Sequence, residues 1–297
     1  MHILSASQFN KTFIDKLFEF SSLTITFSSF EQSLRGKILL NVFFEASTLT
    51  SLSFETAMKQ LGGEVINFNQ NVSSIIKGES YEDTIRSLAI YGDIMILRDP
   101  NIDNLQIASK IVKIPLINAG NGSGEHPTQA LLDLYTIYKK FDNINNKNIL
   151  FMGDIKNSRT IHSLIQLLHL YPSNNIYLWC YNNCEPDEEM INRINKIHNK
   201  PCIIIKDENF DLSNIDVVYC TRYQKERVQN NESTNNLIVD KNFMKRLKSD
   251  AIVMHPLPRN NEISPEIDDD KRCVYFEQMK NGVEIRKALL LKCFNIW

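Results

Sequence analysis

No stretch of this sequence reaches the roughly 18 consecutive apolar residues of a membrane-spanning helix, so no membrane segment is expected. Charge of one sign is not in excess either. Lysine and arginine total 33 against 35 aspartates and glutamates, a net charge of -2. Such a balance gives no global field to attract nucleic acid or an anionic membrane. The first residues, Met1-His2-Ile3-Leu4-Ser5-Ala6-Ser7, lack a basic segment followed by a long apolar run, so no secretory leader is expected. Cysteine is sparse, with 6 residues, all in the second half of the chain. Cys180 and Cys184 stand close together, but no second Cys or His pair accompanies them. They read as buried or idle thiols in a reducing, cytoplasmic setting, and no metal site is expected. No Gly-x-Gly-x-x-Gly follows a strand-like run, which argues against a nucleotide-binding Rossmann protein. Solenoid repeats and low-complexity tracts are missing as well.

What is present is an ordinary globular composition, 43% hydrophobic and 23% charged over 297 residues. That is long enough for two domains with their own cores. Apolar runs alternate with helical patterns almost throughout. Strands are expected at Ile38–Phe43, Glu64–Phe68, Ile94–Leu97 and Leu116–Asn118. Helices are expected behind a Ser5 or Ser7 cap (Phe9, Phe13, Leu17 and Phe20 forming one stripe), at Leu52–Leu61, Ser80–Tyr91 and Asn101–Val112. A polar loop spans Asn69–Glu79 and a Gly-rich loop Ala119–Glu125. After a helix at Pro127–Lys140 the same grammar restarts. Strands follow at Asn148–Met152, Ile176–Cys180, Cys202–Lys206, Val217–Cys220 and Ala251–Met254, with helices at Arg159–Leu170, Pro186–Asn199 and Phe276–Phe294. Repeated β–α alternation implies mostly parallel sheets covered on both faces. The expected fold class is therefore α/β, with two doubly wound parallel-sheet domains and the active site in the crevice between them. Residues 1–127 form the first domain, 128–279 the second, and a C-terminal helix at about 280–297 packs back on the first.

Ligands of open α/β sheets bind beyond the carboxyl ends of the strands, and the polar motifs of this chain fall there. Glu45-Ala46-Ser47-Thr48-Leu49-Thr50-Ser51 lies between a strand and a helix. Hydroxyls and unpaired N–H groups converge at that helix start, which suits a phosphate; the same residues also suit a plain N-cap. Lys77-Gly78-Glu79-Ser80 sits in the long loop, where a lysine can close over an anion. Arg98-Asp99-Pro100 ends a strand and offers a guanidinium for bidentate binding. His126-Pro127-Thr128-Gln129 opens a helix, and a carbonyl bearing an NH₂ group would suit His126 and Gln129 together. Arg159 and Arg222, each after a strand, would suit a dicarboxylate. His255-Pro256-Leu257-Pro258-Arg259 makes a stiff bend with carbonyls free of ladder bonds.

Taken together, Phe-Phe-Glu-Ala-Ser-Thr at 43–48, Lys77-Gly78-Glu79, His126-Pro127-Thr128-Gln129-Ala130-Leu131-Leu132-Asp133, Gly153-Asp154, Arg159-Thr160-Ile161-His162-Ser163, Thr221-Arg222 with Gln224-Lys225-Glu226-Arg227, and His255-Pro256-Leu257-Pro258-Arg259 resemble the catalytic chain of aspartate carbamoyltransferase. The likeness runs from about residue 30 to about residue 290. Thr128 and Pro256 favour the aspartate enzyme over its ornithine relative, which typically has cysteine at both places. The resemblance implies that Ser47, Thr48 and Thr50 hold the phosphate of carbamoyl phosphate. It implies that Arg98 bridges phosphate and carbonyl oxygen, and that Thr50 and His126 polarise that oxygen. Gln129 and the main-chain carbonyls of Pro256 and Leu257 would hold the carbamoyl NH₂. Arg159, Arg222 and Gln224 would bind aspartate. Lys77, with Ser73 or Ser74, would come from a neighbouring subunit of a homotrimer with shared sites. The implied activity is carbamoyl transfer to L-aspartate in cytoplasmic pyrimidine synthesis, without metal or organic cofactor; a regulatory chain is compatible with it.

Two positions depart from the pattern. Leu49 stands where the family has an arginine directed at the leaving phosphate, and Asp99 stands where it usually has histidine. Losing one preorganised donor costs about 10²–10³ in rate, and losing an arginine on a transferring phosphoryl group about 10³–10⁵. Lys156, Arg86 or another cation would then have to supply the missing charge. The alternative expectation is a catalytically impaired paralogue that serves as a ligand-binding or assembly subunit.

Overall fold

The computed structural model describes residues 1–26, 30–68, 78–198, 200–224 and 237–297. In chain order the first elements are α1 (Lys11–Thr26), β1 (Ile38–Phe43), α2 (Thr48–Gln60), β2 (Glu64–Phe68), α3 (Tyr81–Ala89), β3 (Ile94–Asp99), α4 (Ile102–Ile111), β4 (Leu116–Asn121) and α5 (Pro127–Phe141). Then come β5 (Asn148–Gly153), α6 (Arg159–Leu168), β6 (Asn175–Cys180), α7 (Glu188–His198), β7 (Ile203–Ile204), β8 (Val217–Cys220), α8 (Lys241–Arg246), β9 (Ile252–Met254) and α9 (Tyr275–Cys293). The strands form two sheets, ordered β2-β1-β3-β4 and β7-β6-β5-β8-β9. Every ladder in both is parallel. Among the described residues no helix is long and apolar enough to cross a membrane.

The chain divides into two compact units, Met1–Leu132 with Lys280–Trp297, and Asp133–Met279. In the first, Leu40, Val42, Met95, Leu97 and Leu116 from the sheet pack with Ile85 of α3 and Leu105 of α4. In the second, Leu150, Met152, Val218 and Val253 pack with Phe243 of α8 and Tyr275 of α9. Apart from Asn41 and Asn148, the central strands β1 and β5 are built of apolar residues and glycine, because parallel sheets are covered on both faces. Residues 280–297 join the first unit through specific contacts. The Trp297 ring stacks 5.0 Å from Phe20, and its Nε1–H donates to the Ala288 carbonyl at 2.7 Å. Arg286 donates to Ser53 Oγ at 2.8 Å and lies 4.9 Å from the centre of the Phe54 ring.

Element ends differ from the sequence expectation where side chains override propensity. Ser5 caps a short 3-10 turn, Ala6–Gln8, while Asn10 accepts from the Phe13 N–H at the start of α1. α2 begins at Thr48 rather than Leu52. β4 runs on to Asn121, through residues expected to be loop, because the Asn118 side chain accepts the Gly120 N–H and Asn121 pairs with Asp99 across a register shift. The strand expected at Cys202–Lys206 shrinks to the two-residue edge strand β7. The helix α8 had no periodic signal; it is capped by Asp240, which accepts from the Phe243 N–H.

Gly153 closes β5 with φ +118°, and a Cβ there would lie 2.2 Å from the Thr221 carbonyl oxygen. This close approach sets the spacing between the ends of β5 and β8. Gly153→Ala is expected to destabilise the fold by about 3 kcal/mol through left-handed strain and the clash. Urea unfolding measures this, and an unchanged midpoint would refute the contact.

Candidate active site

In the first unit, parallel pairing places the end of β1 beside the end of β3, with Phe43 opposite Arg98. The Phe44 N–H donates to the Arg98 carbonyl at 2.9 Å, so the chain leaves the sheet alongside that arginine. Ser47 then caps α2 with extended backbone, yet its hydroxyl makes no cap hydrogen bond. The earliest backbone bond closing the turn is Ser51 N–H to the Ser47 carbonyl, at 3.4 Å. The N–H groups of Thr48, Leu49 and Thr50 therefore precede any intrahelical acceptor and carry the positive end of the helix dipole. Thr50 is buried at 7% exposure, Leu49 is half-buried and Thr48 is exposed. These features make the segment fit for an oxyanion.

Arg98 adds the cation. Its Nε donates to Glu45 Oε2 at 3.1 Å, and an Nη donates to the Ala119 carbonyl at 3.5 Å. A cavity of about 690 Å³ opens beside the cradle, with Asn41, Ser47, Thr48, Ser51 and Glu55 among its lining residues. On its wall the Asn41 amide donates to Asn67 Oδ1 at 3.0 Å, and the Asn67 amide donates to Glu55 at 3.2 Å. Lys59 beside Glu55 holds that carboxyl below its ordinary range. The strand β4 next to β3 leads to His126, which is buried immediately before Pro127 opens α5. The His126 carbonyl accepts the Gln129 and Ala130 N–H groups at 3.0 and 3.1 Å, and Gln129 is itself buried.

Asp99 has a different task from its neighbour. Its carboxylate accepts the Asn101 N–H at 2.8 Å and the Asn104 amide at 3.1 and 3.0 Å, steadying the start of α4. Burial, and then the Asp99 charge, push the Tyr81 hydroxyl well above its ordinary pKa.

In the second unit, β5 and β8 lie side by side and end at Gly153 and Cys220. Asp154 is fully buried. It accepts the Asn157 N–H at 3.1 Å and the Gln224 N–H at 3.3 Å, tying the two strand exits together. Ser158 caps α6, and Arg159 is its first residue, 7% exposed. Arg222 donates to the Tyr223 carbonyl at 3.4 Å, and Tyr223 packs edge-on against Tyr181. Two arginines thus lie on the connections that leave neighbouring strands, Arg159 at the start of α6 and Arg222 just past β8.

After β9 comes the turn bearing Pro256 and Leu257. The Leu257 N–H donates to His255 Nδ1 at 2.8 Å, and His255 Nε2 lies 2.9 Å from Glu262 Oε1. Burial lowers the His255 pKa against the opposing pull of Glu262. Burial resists ionisation of Glu262, but hydrogen bonds from His255 and the Asn260 N–H leave its carboxyl below the ordinary value. Arg259 pairs with Asp268 and with the Tyr275 hydroxyl, which fixes the far side of the turn. The Cys180 and Cys184 thiols are pushed up to about 12 by burial, so they stay protonated.

Of the residues singled out from sequence, Ser47, Thr48, Thr50, Arg98, His126 and Gln129 fall on strand exits or helix starts of the first unit. Arg159, Arg222, Gln224, Pro256 and Leu257 do so in the second. Lys77, Ser73, Ser74 and the Lys225-Glu226-Arg227 run lie outside the described residues. Arg86 is exposed and pairs with Asp83 at 3.1 Å, and Lys156 is exposed. Sequence reasoning passed over Asn41, whose signal is an amide inside the apolar run Ile-Leu-Leu-Asn-Val-Phe. It also passed over Glu45 as the partner of Arg98, and Glu262 as the partner of His255.

The model of the aspartate/ornithine carbamoyltransferase carbamoyl-P binding domain matches residues 1–139, and that of the Asp/Orn binding domain matches residues 145–293. The chain belongs to the aspartate/ornithine carbamoyltransferase family. The aspartate carbamoyltransferase catalytic subunit of Clostridium acetobutylicum is 42% identical, over 88% of this chain and 87% of that one. Multifunctional protein CAD of Squalus acanthias is 41% identical over 97% of this chain, which spans only 13% of that protein's length. Among solved structures of the family, aspartate transcarbamoylase from Trypanosoma cruzi in complex with carbamoyl phosphate and aspartate superposes with a TM-score of 0.91. It is 36% identical, over 97% of this chain and 95% of that one.

Proposed function

We propose that this chain transfers the carbamoyl group of carbamoyl phosphate to the amine of L-aspartate, giving N-carbamoyl-L-aspartate and phosphate. The observation that carries the reading is the oxyanion cradle at the start of α2, with its uncommitted Ser47 hydroxyl and Arg98 held beside it by Glu45. The similarity to a catalytic subunit along most of both chains supports it, as does the solved relative bearing both ligands. No observation on these relatives favours the impaired paralogue.

In this reading the first-turn N–H groups, Ser47, Thr48 and Thr50 bind the phosphate. Arg98 spans phosphate and carbonyl oxygen, and Thr50 with His126 withdraws charge from that oxygen. Gln129 and the Pro256 and Leu257 carbonyls orient the NH₂, leaving the carbamoyl carbon open to attack. Arg159, Arg222 and Gln224 bind the two carboxylates and aim the amine. The C–N bond forms, the C–O bond to phosphate breaks, and the amine proton leaves with the departing phosphate or to solvent. Positioning and charge stabilisation do the catalysis, and the step as written uses neither metal nor organic cofactor. The setting proposed is cytoplasmic pyrimidine synthesis by a homotrimer whose sites each borrow Lys77 from a neighbour, with room for a regulatory chain.

A carbamoyl-aspartate assay on the purified protein tests the assignment. Arg222→Ala is expected to weaken aspartate use by about 1.5–3 kcal/mol, the worth of a charge-assisted contact, while sparing carbamoyl phosphate. Equal loss for both substrates would contradict the division of roles. Mixing Lys77→Ala chains with Arg159→Ala chains is expected to restore activity above either parent, and reassembled hybrids with no gain would end the shared-site proposal. Leu49→Arg is expected to raise kcat by about tenfold or more, because a guanidinium on the phosphate binds its departing, more charged form best. No rise in kcat with an unchanged melting temperature would show that Leu49 is not a missing catalytic charge.

A further inference from the structure

The turn after β9 contains a buried polar assembly whose parts are widely separated in sequence. The His255 N–H donates to Gln278 Oε1 at 3.0 Å. The Gln278 amide donates to Asp133 Oδ1 at 2.6 Å, and Tyr219 donates its hydroxyl to Asp133 Oδ2 at 2.7 Å. The backbone of His255 is thus gripped from α9, α5 and β8. Its ring is gripped separately. A backbone N–H can only donate, so the 2.8 Å contact from Leu257 requires a bare, accepting Nδ1. The ring proton then sits on Nε2 and points at Glu262 Oε1, which also accepts the Asn260 N–H at 2.9 Å. Leu257 needs such a hold, because its φ of +52° is a conformation that residues other than glycine rarely adopt.

We infer that His255 is a positioning residue: its Nε2–H tautomer, fixed by Glu262, presents Nδ1 to the Leu257 N–H and so aims the Pro256 and Leu257 carbonyls at the carbamoyl amine. The aim of those carbonyls rests on the function proposed above. The hold on Leu257 does not. His255 is 2% exposed and touches no substrate in this assignment. The charged groups that act on its ring are Glu262, Arg259 and Arg222. Burial disfavours the imidazolium, and a proton on Nδ1 would face the Leu257 N–H donor to donor. The same geometry makes carbamoyl phosphate binding, rather than aspartate binding, the quantity that His255 controls.

Two isosteric variants separate the ring's two hydrogen bonds. His255→Asn keeps an oxygen near the Nδ1 position and the acceptor for Leu257. His255→Gln keeps a donor near the Nε2 position, for Glu262, and loses that acceptor. His255→Gln is expected to raise the KM for carbamoyl phosphate about tenfold, the scale of one well-placed hydrogen bond, with little change in the KM for aspartate. His255→Asn is expected to recover most of that loss. Equal damage from the two variants, or equal damage to both substrates, would overturn the assignment. Nitrogen NMR of the unmodified full chain with labelled histidine, together with deuterium exchange at the Leu257 amide, gives readouts independent of turnover. An Nε2–H tautomer with a protected Leu257 amide is expected, and an Nδ1–H tautomer or a freely exchanging amide would refute the proposal. If the unmodified protein transferred no carbamoyl group, the function reading would fall. The tautomer and exchange results would still decide the role of His255, as they would if either variant failed to fold.

Discussion

Strands that pair in parallel must all finish at the same edge of their sheet, and every ladder in both sheets of this protein is parallel. The polar chemistry follows from that. Mostly apolar runs fill the central strands, which are buried on both faces and carry charge only at large desolvation cost. Polar residues past the strand ends are tolerated even when buried because the connections there supply hydrogen-bond partners, as they do for Asp154. Arg98 lies at the end of β3, the Ser47–Thr50 cradle follows β1, and His126 follows β4. Asp154 and Arg222 follow β5 and β8, and His255 follows β9. The register that pairs Phe43 with Arg98 is therefore a functional constraint as well as a packing one. A slip of one residue would turn the guanidinium to the opposite face of the sheet.

The cradle draws on partial charges more than on formal ones. Helix N–H groups are fixed by the backbone and need no side-chain ordering when an anion arrives, and the Ser47 hydroxyl has no cap bond to break. Arg98 is already ordered by Glu45, with side chains 12% and 32% exposed. A partly exposed ion pair of this kind is worth about 0–1 kcal/mol, whereas a charge-assisted bond to an oxyanion is worth about 1.5–3. An incoming anion can therefore take the guanidinium from Glu45 at a net gain. The pair keeps the arginine pointed at the cradle without locking it away. Leu49 contributes only its backbone N–H to this arrangement. Arg86, in the same unit, is committed to Asp83 on an exposed helix face.

Much of this was readable from sequence because apolar runs and turn residues are local signals. Ile38–Phe43 and Val217–Cys220 were found to the residue from their mostly apolar runs, and Glu64–Phe68 from the Val65-Ile66 pair behind the Gly62-Gly63 break. The start of α2 was misplaced by four residues because Thr48, Leu49 and Thr50 have weak helical propensity as a group; the backbone after Ser47, not the side chains, opens the helix. The role of Asp99 was illegible because its partners, Asn101 and Asn104, look like ordinary helix-start residues until their hydrogen bonds are traced. The assembly around His255 was less legible still. Gln278 and Asp133 stand 145 positions apart, and nothing local to either announces the other. Their motifs marked places on the chain, whereas the donors and acceptors that hold the turn emerge only from the packing.

The discontinuous make-up of the first unit bears on how the chain is born. Residues 133–279 belong to the second unit, while 280–297 return to the first. During synthesis from the amino end, the second unit has all of its residues before the first unit has all of its own. The aromatic faces of Phe13 and Phe20 wait for Trp297, and Ser53 waits for Arg286, until the last stretch of this sequence has been made. The first unit thus lacks part of its packing until the whole intervening unit has been translated. Within this sequence, the unit whose first residues are made earlier is the unit whose last residues are made later.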